Sequence, residues 1–368
     1  MDPNTLNLIE GAAGAAGGEK VYVEEVFSTY LPPTAITDAP LNIDNGIDLG
    51  GEGGLVWLKR RDGTAGTFTQ HVLIDTERNA DTALLLPSTD GDSVLTGAPY
   101  SSSFDSDGFT WGSENNFHPT GANYASWTFR KAPGFFDVVE WTGNSTAGRE
   151  IPHSLGSVPG MIIVKCTTHS ENWVVWHRSI LNTQALWLQS ADDVYDQSEG
   201  PINIWNSTTP TSTAFTVGNF DGTNGDSNHS YVAYVFAHDD QQFGNGGDES
   251  IIKCGSFSYT GGTPLNVNLG WEAQWLLVKQ SNGSDQWYLV DNMRGMIDGD
   301  GNYFQASTYN EEGPYGIAGA TSTGFIFDPG TQICVSGDFI YIAIRRGPMK
   351  TPEDATEVFN LKLRAGTG

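Results

Sequence analysis

Three short apolar runs end in lysine: Leu55-Val-Trp-Leu-Lys59, Met161-Ile-Ile-Val-Lys165 and Trp275-Leu-Leu-Val-Lys279. A Leu-Gly pair stands upstream of each, at Leu49-Gly50, Leu155-Gly156 and Leu269-Gly270, and the step from that Leu to the Lys is ten residues in every copy. Each run has strand length and is bounded by turn residues, so the pattern predicts one strand written three times. A second register agrees with it. Phe109, Phe215 and Phe325 are followed by Tyr124, Tyr231 and Tyr341 at steps of fifteen, sixteen and sixteen residues. The stretch from Trp287 to Arg294 repeats the apolar positions of His71 to Arg78 and shares its Leu, Asp and Arg.

These coincidences divide the chain into a terminal arm (1–18), three β modules (19–133, 134–247 and 248–350) and a polar tail (351–368). The alternating stretches Val21 to Thr29, Phe136 to Thr142 and Ile251 to Thr260 read as the strands that open the modules. About 110 residues with six or seven short strands is the size of an antiparallel sandwich or jelly roll. The expected fold is all-β: three tandem antiparallel β-sandwich or jelly-roll-like modules with a short N-terminal helical arm. The linkers Lys131-Ala-Pro-Gly134 and Gly244-Asn-Gly-Gly247 are short, so the modules are expected to pack on one another. In the arm, Asp2 can cap a helix with Pro3 at its first position, and Leu6 and Ile9 share a face. Gly11 and Gly14 leave another face bare. So short a helix is marginal alone, which makes the arm either a flexible terminus or a peptide that docks on another protein; docking is the expectation taken forward.

Composition supports the β reading: 45 Gly and 11 Trp accompany only 17% charged residues. The net charge of −26 opposes binding to a nucleic-acid backbone or an anionic membrane surface. Three cysteines, Cys166, Cys254 and Cys334, have no Cys-x-x-Cys spacing and read as buried small hydrophobes. No signal-peptide pattern and no bilayer-length apolar run is seen, so the chain is expected to be made in a reducing cytoplasm without membrane insertion.

Candidate chemistry is sparse. Gly50-Gly-Glu-Gly-Gly54 lacks the Lys-Ser/Thr of a P-loop and reads as a turn. The seven histidines are scattered and read as surface or loop residues, with only His169 and His177 near metal-ligand spacing. Asp75 with Arg78, and Asp291 with Arg294, suggest a repeated ion pair at a strand end. Lys59, Lys165 and Lys279 suggest edge or solvating charges. Two loops hold calcium-like carboxylates, Asp221 and Asp226 in one and Asp298 and Asp300 in the other, but neither completes a twelve-residue calcium loop; plain turns are expected. Trp275 and Trp287 lie in repeated strands and read as core. Trp187 and Trp205 fall outside the repeat and are the candidates for an exposed glycan contact. No catalytic residues and no cofactor are expected.

The runs Tyr124-Ala-Ser-Trp-Thr-Phe-Arg-Lys-Ala-Pro133, Ile151-Pro-His-Ser-Leu-Gly-Ser-Val-Pro-Gly160 and Ile342-Ala-Ile-Arg-Arg-Gly-Pro-Met-Lys350 resemble a repeated β domain of tailed-bacteriophage virion proteins, the tail fibres and structural proteins of marine phages and cyanophages. The resemblance covers about residues 20–355. It implies a non-enzymatic virion component on the tail or outer surface, with host attachment as its role. The implied partners are other virion proteins (a tail adaptor, connector or baseplate) and a host receptor or glycan. Fibres are often homotrimers, although three modules in one chain could supply a pseudo-threefold arrangement alone. The alternatives are a capsid decoration or fibre protein and a lectin-like carbohydrate-binding module.

Overall fold

The structure, a computed structural model, describes residues 20–32, 40–63, 69–78, 80, 82–91, 93–94, 102–112, 121–297, 301–330 and 336–350. The arm, including Asp2, Pro3, Leu6, Ile9, Gly11 and Gly14, lies outside the described residues, as do Asp298, Asp300, Cys334 and the tail.

The architecture is all-β and antiparallel. The first unit contains β1 (Phe27–Tyr30), β2 (Leu41–Asp44), β3 (Gly54–Arg60), β4 (His71–Asp75), β5 (Thr82–Leu86), β6 (Ser93–Val94), β7 (Ser103–Asp105), β8 (Gly108–Trp111) and β9 (Tyr124–Arg130). The second contains β10 (Phe136–Thr142), β11 (Arg149–Pro152), β12 (Met161–Cys166), β13 (Val174–His177), β14 (Gln184–Trp187), β15 (Tyr195–Asp196), β16 (Ala214–Val217) and β17 (Ser230–Phe236). The third contains β18 (Ile252–Tyr259), β19 (Leu265–Asn268), β20 (Ala273–Gln280), β21 (Trp287–Asp291), β22 (Phe304–Gln305), β23 (Ala318–Thr321), β24 (Gly324–Phe327) and β25 (Gly337–Arg345).

Three large sheets share one strand order: β1-β9-β3-β4-β5-β6, β10-β17-β12-β13-β14-β15 and β18-β25-β20-β21-β22. In each, the opening strand pairs with the closing strand, and the Lys-ended strand lies next. Small sheets β2-β8-β7, β11-β16 and β19-β24-β23 cover one face of the respective large sheets.

This layering explains the apolar runs. In β20, Leu276 and Val278 face the third unit's own small sheet, while Trp275 and Leu277 join a central core shared by all three units. In β3, Val56 and Leu58 face the small sheet and Leu55 and Trp57 face the centre. A strand buried on both faces reads as a continuous apolar run rather than an alternation. Phe129 sits where the units meet, with ring centroids 5.6 Å from both Trp275 and Phe236 and 5.5 Å from Phe136. The Leu-Gly pair is an anchor followed by a turn: Leu49, Leu155 and Leu269 are buried, and Gly156 and Gly270 take left-handed φ values of +71° and +87°, which glycine adopts without a Cβ clash.

Two expectations fail here. The strand expected over Val21 to Thr29 is split: Val23–Val26 forms a single helical turn, α1, and the strand starts at Phe27. Tyr22 N–H bonds Glu25 Oε2 at 3.0 Å, and the i,i+3 spacing of Val23 and Val26 buries both, so local capping overrides the alternation. The three lysines are not edge charges. Lys59, Lys165 and Lys279 are all fully buried, because their position on the strand faces the central core. The two ends of the described body are clasped: Glu24 accepts N–H bonds from Met349 (3.0 and 3.1 Å) and Lys350 (2.9 Å).

Candidate functional site

The polar groups of the central core recur at the three seams in cyclic order. At the second-to-first seam, the Tyr234 hydroxyl donates to Asp75 Oδ2 at 2.9 Å. Asp75 also accepts from Arg78 N (3.1 Å) and Nε (2.8 Å), and Arg78 Nη2 reaches the Tyr234 hydroxyl at 3.1 Å. At the first-to-third seam, Trp127 Nε1 donates to Asp291 Oδ2 at 3.0 Å, and Asp291 accepts from Arg294 N (3.0 Å) and Nε (2.7 Å). Tyr234 and Trp127 hold matching positions, paired with Ile163 and Trp57 in their neighbouring strands. At the third-to-second seam His177 takes the aspartate's place, pairing with Met161 as Asp75 pairs with Leu55 and Asp291 with Trp275. Its Nε2–H donates to the Tyr341 carbonyl at 3.1 Å while Nδ1 accepts from Ser179 N at 3.1 Å. The repeated ion pair is therefore real and sits at a strand end, after β4 and after β21, and its aspartate also accepts a bond from the neighbouring unit.

A second set of bonds closes the ring with one donor direction, from each unit to the one before it, whereas His177 above donates against that order. Trp173 Nε1 donates to Ser88 O (2.8 Å), Trp287 Nε1 to Trp187 O (3.0 Å), and His71 Nε2 to Gln305 O (3.3 Å). Lys165 Nζ bonds Thr89 O at 2.9 Å and Lys279 Nζ bonds Ala191 O at 3.1 Å, each in the preceding unit. Lys59 differs: it bonds Thr69 O in its own hairpin, with its Nζ 5.7 Å from the Phe304 ring.

Burial governs the protonation of these groups. Desolvation lowers Lys59 to about 7 and His177 to about 4. His71 falls well below its usual value through burial and the nearby Lys59 charge. Both ring nitrogens of His71 are used, since Nδ1 accepts from Trp57 Nε1 at 2.9 Å. The expectation of surface histidines thus fails for His71, His153 and His177, which are buried. The network's physical effect is to fix how the three sheets meet: a buried polar group left without its partner costs more than the bond itself contributes.

On the surface, the structure brings together residues that spacing did not suggest. His169 stacks on His229 (centroids 4.0 Å apart), which continues to Tyr231 (6.3 Å) and Trp141 (5.2 Å). His229 Nδ1 is 3.0 Å from Asp226 Oδ1. Burial, then the Asp221 charge, raises the Glu171 carboxyl beside them. His169 and His177, the pair suggested by spacing, are not together: one is exposed and the other belongs to the core seam. Two more single helical turns are α2 (Leu49–Glu52), before β3, and α3 (Asp221–Asn224), before β17; Asp221 opens α3, and Asp226 beyond it accepts from Asn228 N at 2.8 Å. Among the described residues, no three His, Cys, Asp or Glu side chains are grouped to hold a metal ion.

The expectation of an exposed ring fails for Trp205. Trp205 is only 2% exposed, and Trp187 is half-buried, packed on Tyr195 and Phe220 with centroids at 5.9 and 6.2 Å. Lying outside the repeat did not place Trp205 on the surface, because this stretch folds back on its own sheet and that ring joins the core, with Trp187 packed partly buried against it.

No curated protein matches the chain. A family model described as a domain of unknown function (DUF7483) matches residues 43–348, a span that takes in strands of all three large sheets, and the chain belongs to that family.

Proposed function

We propose that the chain is a non-enzymatic structural protein of a tailed-phage virion: a tail fibre or tail-associated fibre, docked through residues 1–18 to a tail adaptor, connector or baseplate protein, with its β units facing outward for host contact. The reading rests on the resemblance of the Tyr124–Pro133, Ile151–Gly160 and Ile342–Lys350 runs to the repeated domain of phage virion proteins. The observation that supports it in the fold is the set of buried bonds that ties all three seams, Tyr234 to Asp75, Trp127 to Asp291 and His177 to Tyr341. Such a body keeps its shape without upkeep, as a part exposed outside a cell must.

The test is deletion of residues 2–18. The truncated protein is expected to fold with unchanged thermal stability and to be missing from purified particles. Normal incorporation would refute the docking role of the arm. Cryo-EM density for this body on the capsid face, with none at the tail, would replace the tail-fibre reading by the capsid-decoration one.

A further inference from the structure

We propose that an open cleft in the second unit, between the end of β14 and the turn at Asn206, binds a neutral saccharide. The cleft encloses about 300 Å³. Its polar lining is made of three amides and three hydroxyls: Gln197, Asn203 and Asn206 with Thr183, Ser198 and Ser207. Pro201 and Ile202 add apolar surface. Among the described side chains no ionisable group lines it, in a chain whose net charge is −26. Two other clefts are different in kind. One is lined by Lys20, Glu25, Asp48, Glu52, Arg130 and Lys131, and another by Glu77, Lys131, Asp137 and His153 among others.

The lining is held in place before any ligand arrives. Gln197 Oε1 accepts from Ile204 N (2.8 Å) and Trp205 N (3.4 Å), which fixes the amide and points Nε2 at Ser207 Oγ (2.9 Å). Asn203 Oδ1 accepts from Asn206 N at 2.9 Å, and its Nδ2 donates to Asn206 Oδ1 at 3.3 Å. Asp196, behind the cleft, accepts from Ser198 N (2.9 Å) and Thr183 Oγ1 (3.3 Å) and so sets the other rim. Each primary amide nitrogen carries two hydrogens, and the bonds above use one on Gln197 and one on Asn203. Asn206 and Ser207 have φ values of +50° and +51°, a left-handed conformation that non-glycine residues rarely adopt and that clusters at ligand sites.

The chemistry selects the ligand class. Sugar hydroxyls both donate and accept, as do the lining hydroxyls, while the amides offer fixed N–H donors. Few placed polar groups around a small apolar surface is the usual make-up of a small-ligand site. A carboxylated, sulfated or phosphorylated ligand would find no cation in the cleft and an acidic protein around it. Apart from Thr183, just before β14, the lining comes from the stretch between β14 and β16, outside the repeated register.

This inference names a receptor class for the attachment reading and rests on it for its biological role, but the binding itself is separately testable. The full chain is applied to an array of neutral oligosaccharides of glucose, galactose, mannose and N-acetylhexosamines, with sialylated and uronic acid glycans alongside. Wild type is expected to retain one or more neutral glycans and none of the acidic ones. Asn206→Asp keeps the side-chain shape, tolerates the backbone, and replaces an N–H donor by a charge; it is expected to weaken binding about tenfold or more. Ser198→Trp, an exposed rim position, is expected to block the cleft. Both variants should match the wild-type melting temperature. Failure of wild type to retain any neutral glycan, or equal retention by both folded variants, overturns the inference. Detection of the protein in purified particles separates the two readings: particles that contain it but show no glycan binding sink the cleft alone, and glycan binding by a protein missing from particles sinks the virion role alone.

Discussion

Replacing Asp291 with Ala should be among the most damaging single changes in the core. The Asp291 and Arg294 side chains are both fully buried. The carboxylate accepts from Trp127 Nε1, Arg294 N and Arg294 Nε, so the substitution strands one indole N–H, one backbone N–H and a guanidinium. Arg294 would keep weaker partners: Leu289 O at 3.2 Å, Glu312 Oε1 at 3.4 Å and the Phe304 and Trp127 rings at 4.1 and 5.5 Å. Breaking one side of a buried pair costs about 3–5 kcal/mol, against about 5–15 kcal/mol for the whole folded state of a typical domain. The paired replacement Asp291→Leu with Arg294→Met removes both charges together and should recover most of the loss. Urea unfolding followed by tryptophan fluorescence measures both. A loss below about 1 kcal/mol for Asp291→Ala, or a double variant as unstable as the single one, would refute the claim that this seam depends on a charge matched in place. The partly exposed Lys131–Glu77 pair is the control; Glu77→Gln should change stability by no more than about 1 kcal/mol.

Three further outcomes are expected. Lys59 has a pKa of about 7 in the fold against 10.5 as the ordinary value, so between those values the unfolded chain holds a proton that the folded chain has released. Wild-type stability should therefore rise with pH across that window relative to Lys59→Met and be lowest below it, and parallel urea midpoints for the two proteins would contradict this. Trp205→Ala should destabilise the protein by about 3–5 kcal/mol through the cavity it leaves; an unchanged melting temperature would show the ring to be outside the core. Cys166 and Cys254 are buried, and burial raises the Cys254 thiol, so mass spectrometry should find both unlabelled by a thiol reagent in the native protein and labelled after denaturation; rapid native labelling would place them at the surface.

The parts of this fold that could be read from the chain are those set by local periodicity. The ten-residue Leu-to-Lys step located β3, β12 and β20, and the matched Asp and Arg located two buried ion pairs. What could not be read depends on which neighbour covers which face. Lys59, Lys165 and Lys279 have the sequence signature of strand-end charges, and only the meeting of three sheets turns that face inward. The partner of Asp75 is Tyr234 and the partner of Asp291 is Trp127, both more than a unit's length away in sequence. His177 carries no signal at all, since it replaces an aspartate that the other two copies retain. The surface cleft was missed for a different reason: its amides and hydroxyls are the residues of any loop, and only their mutual hydrogen bonds distinguish them. The indole rings in the same stretch are the more conspicuous feature, and Trp205 proves to be core packing.

The Glu24 clasp on Met349 and Lys350 has a mechanical meaning. Because Glu24 and Met349–Lys350 meet at one place, a pull applied between residues 20 and 350 loads three hydrogen bonds to a single carboxylate and then peels the adjoining strands. It does not draw tension across the aromatic centre. A body mounted by either end would hang from this root with the rest of its surface unburdened, and Glu24→Gln, which weakens charge-assisted bonds, should lower the first rupture force in single-molecule stretching while leaving the later ones unchanged.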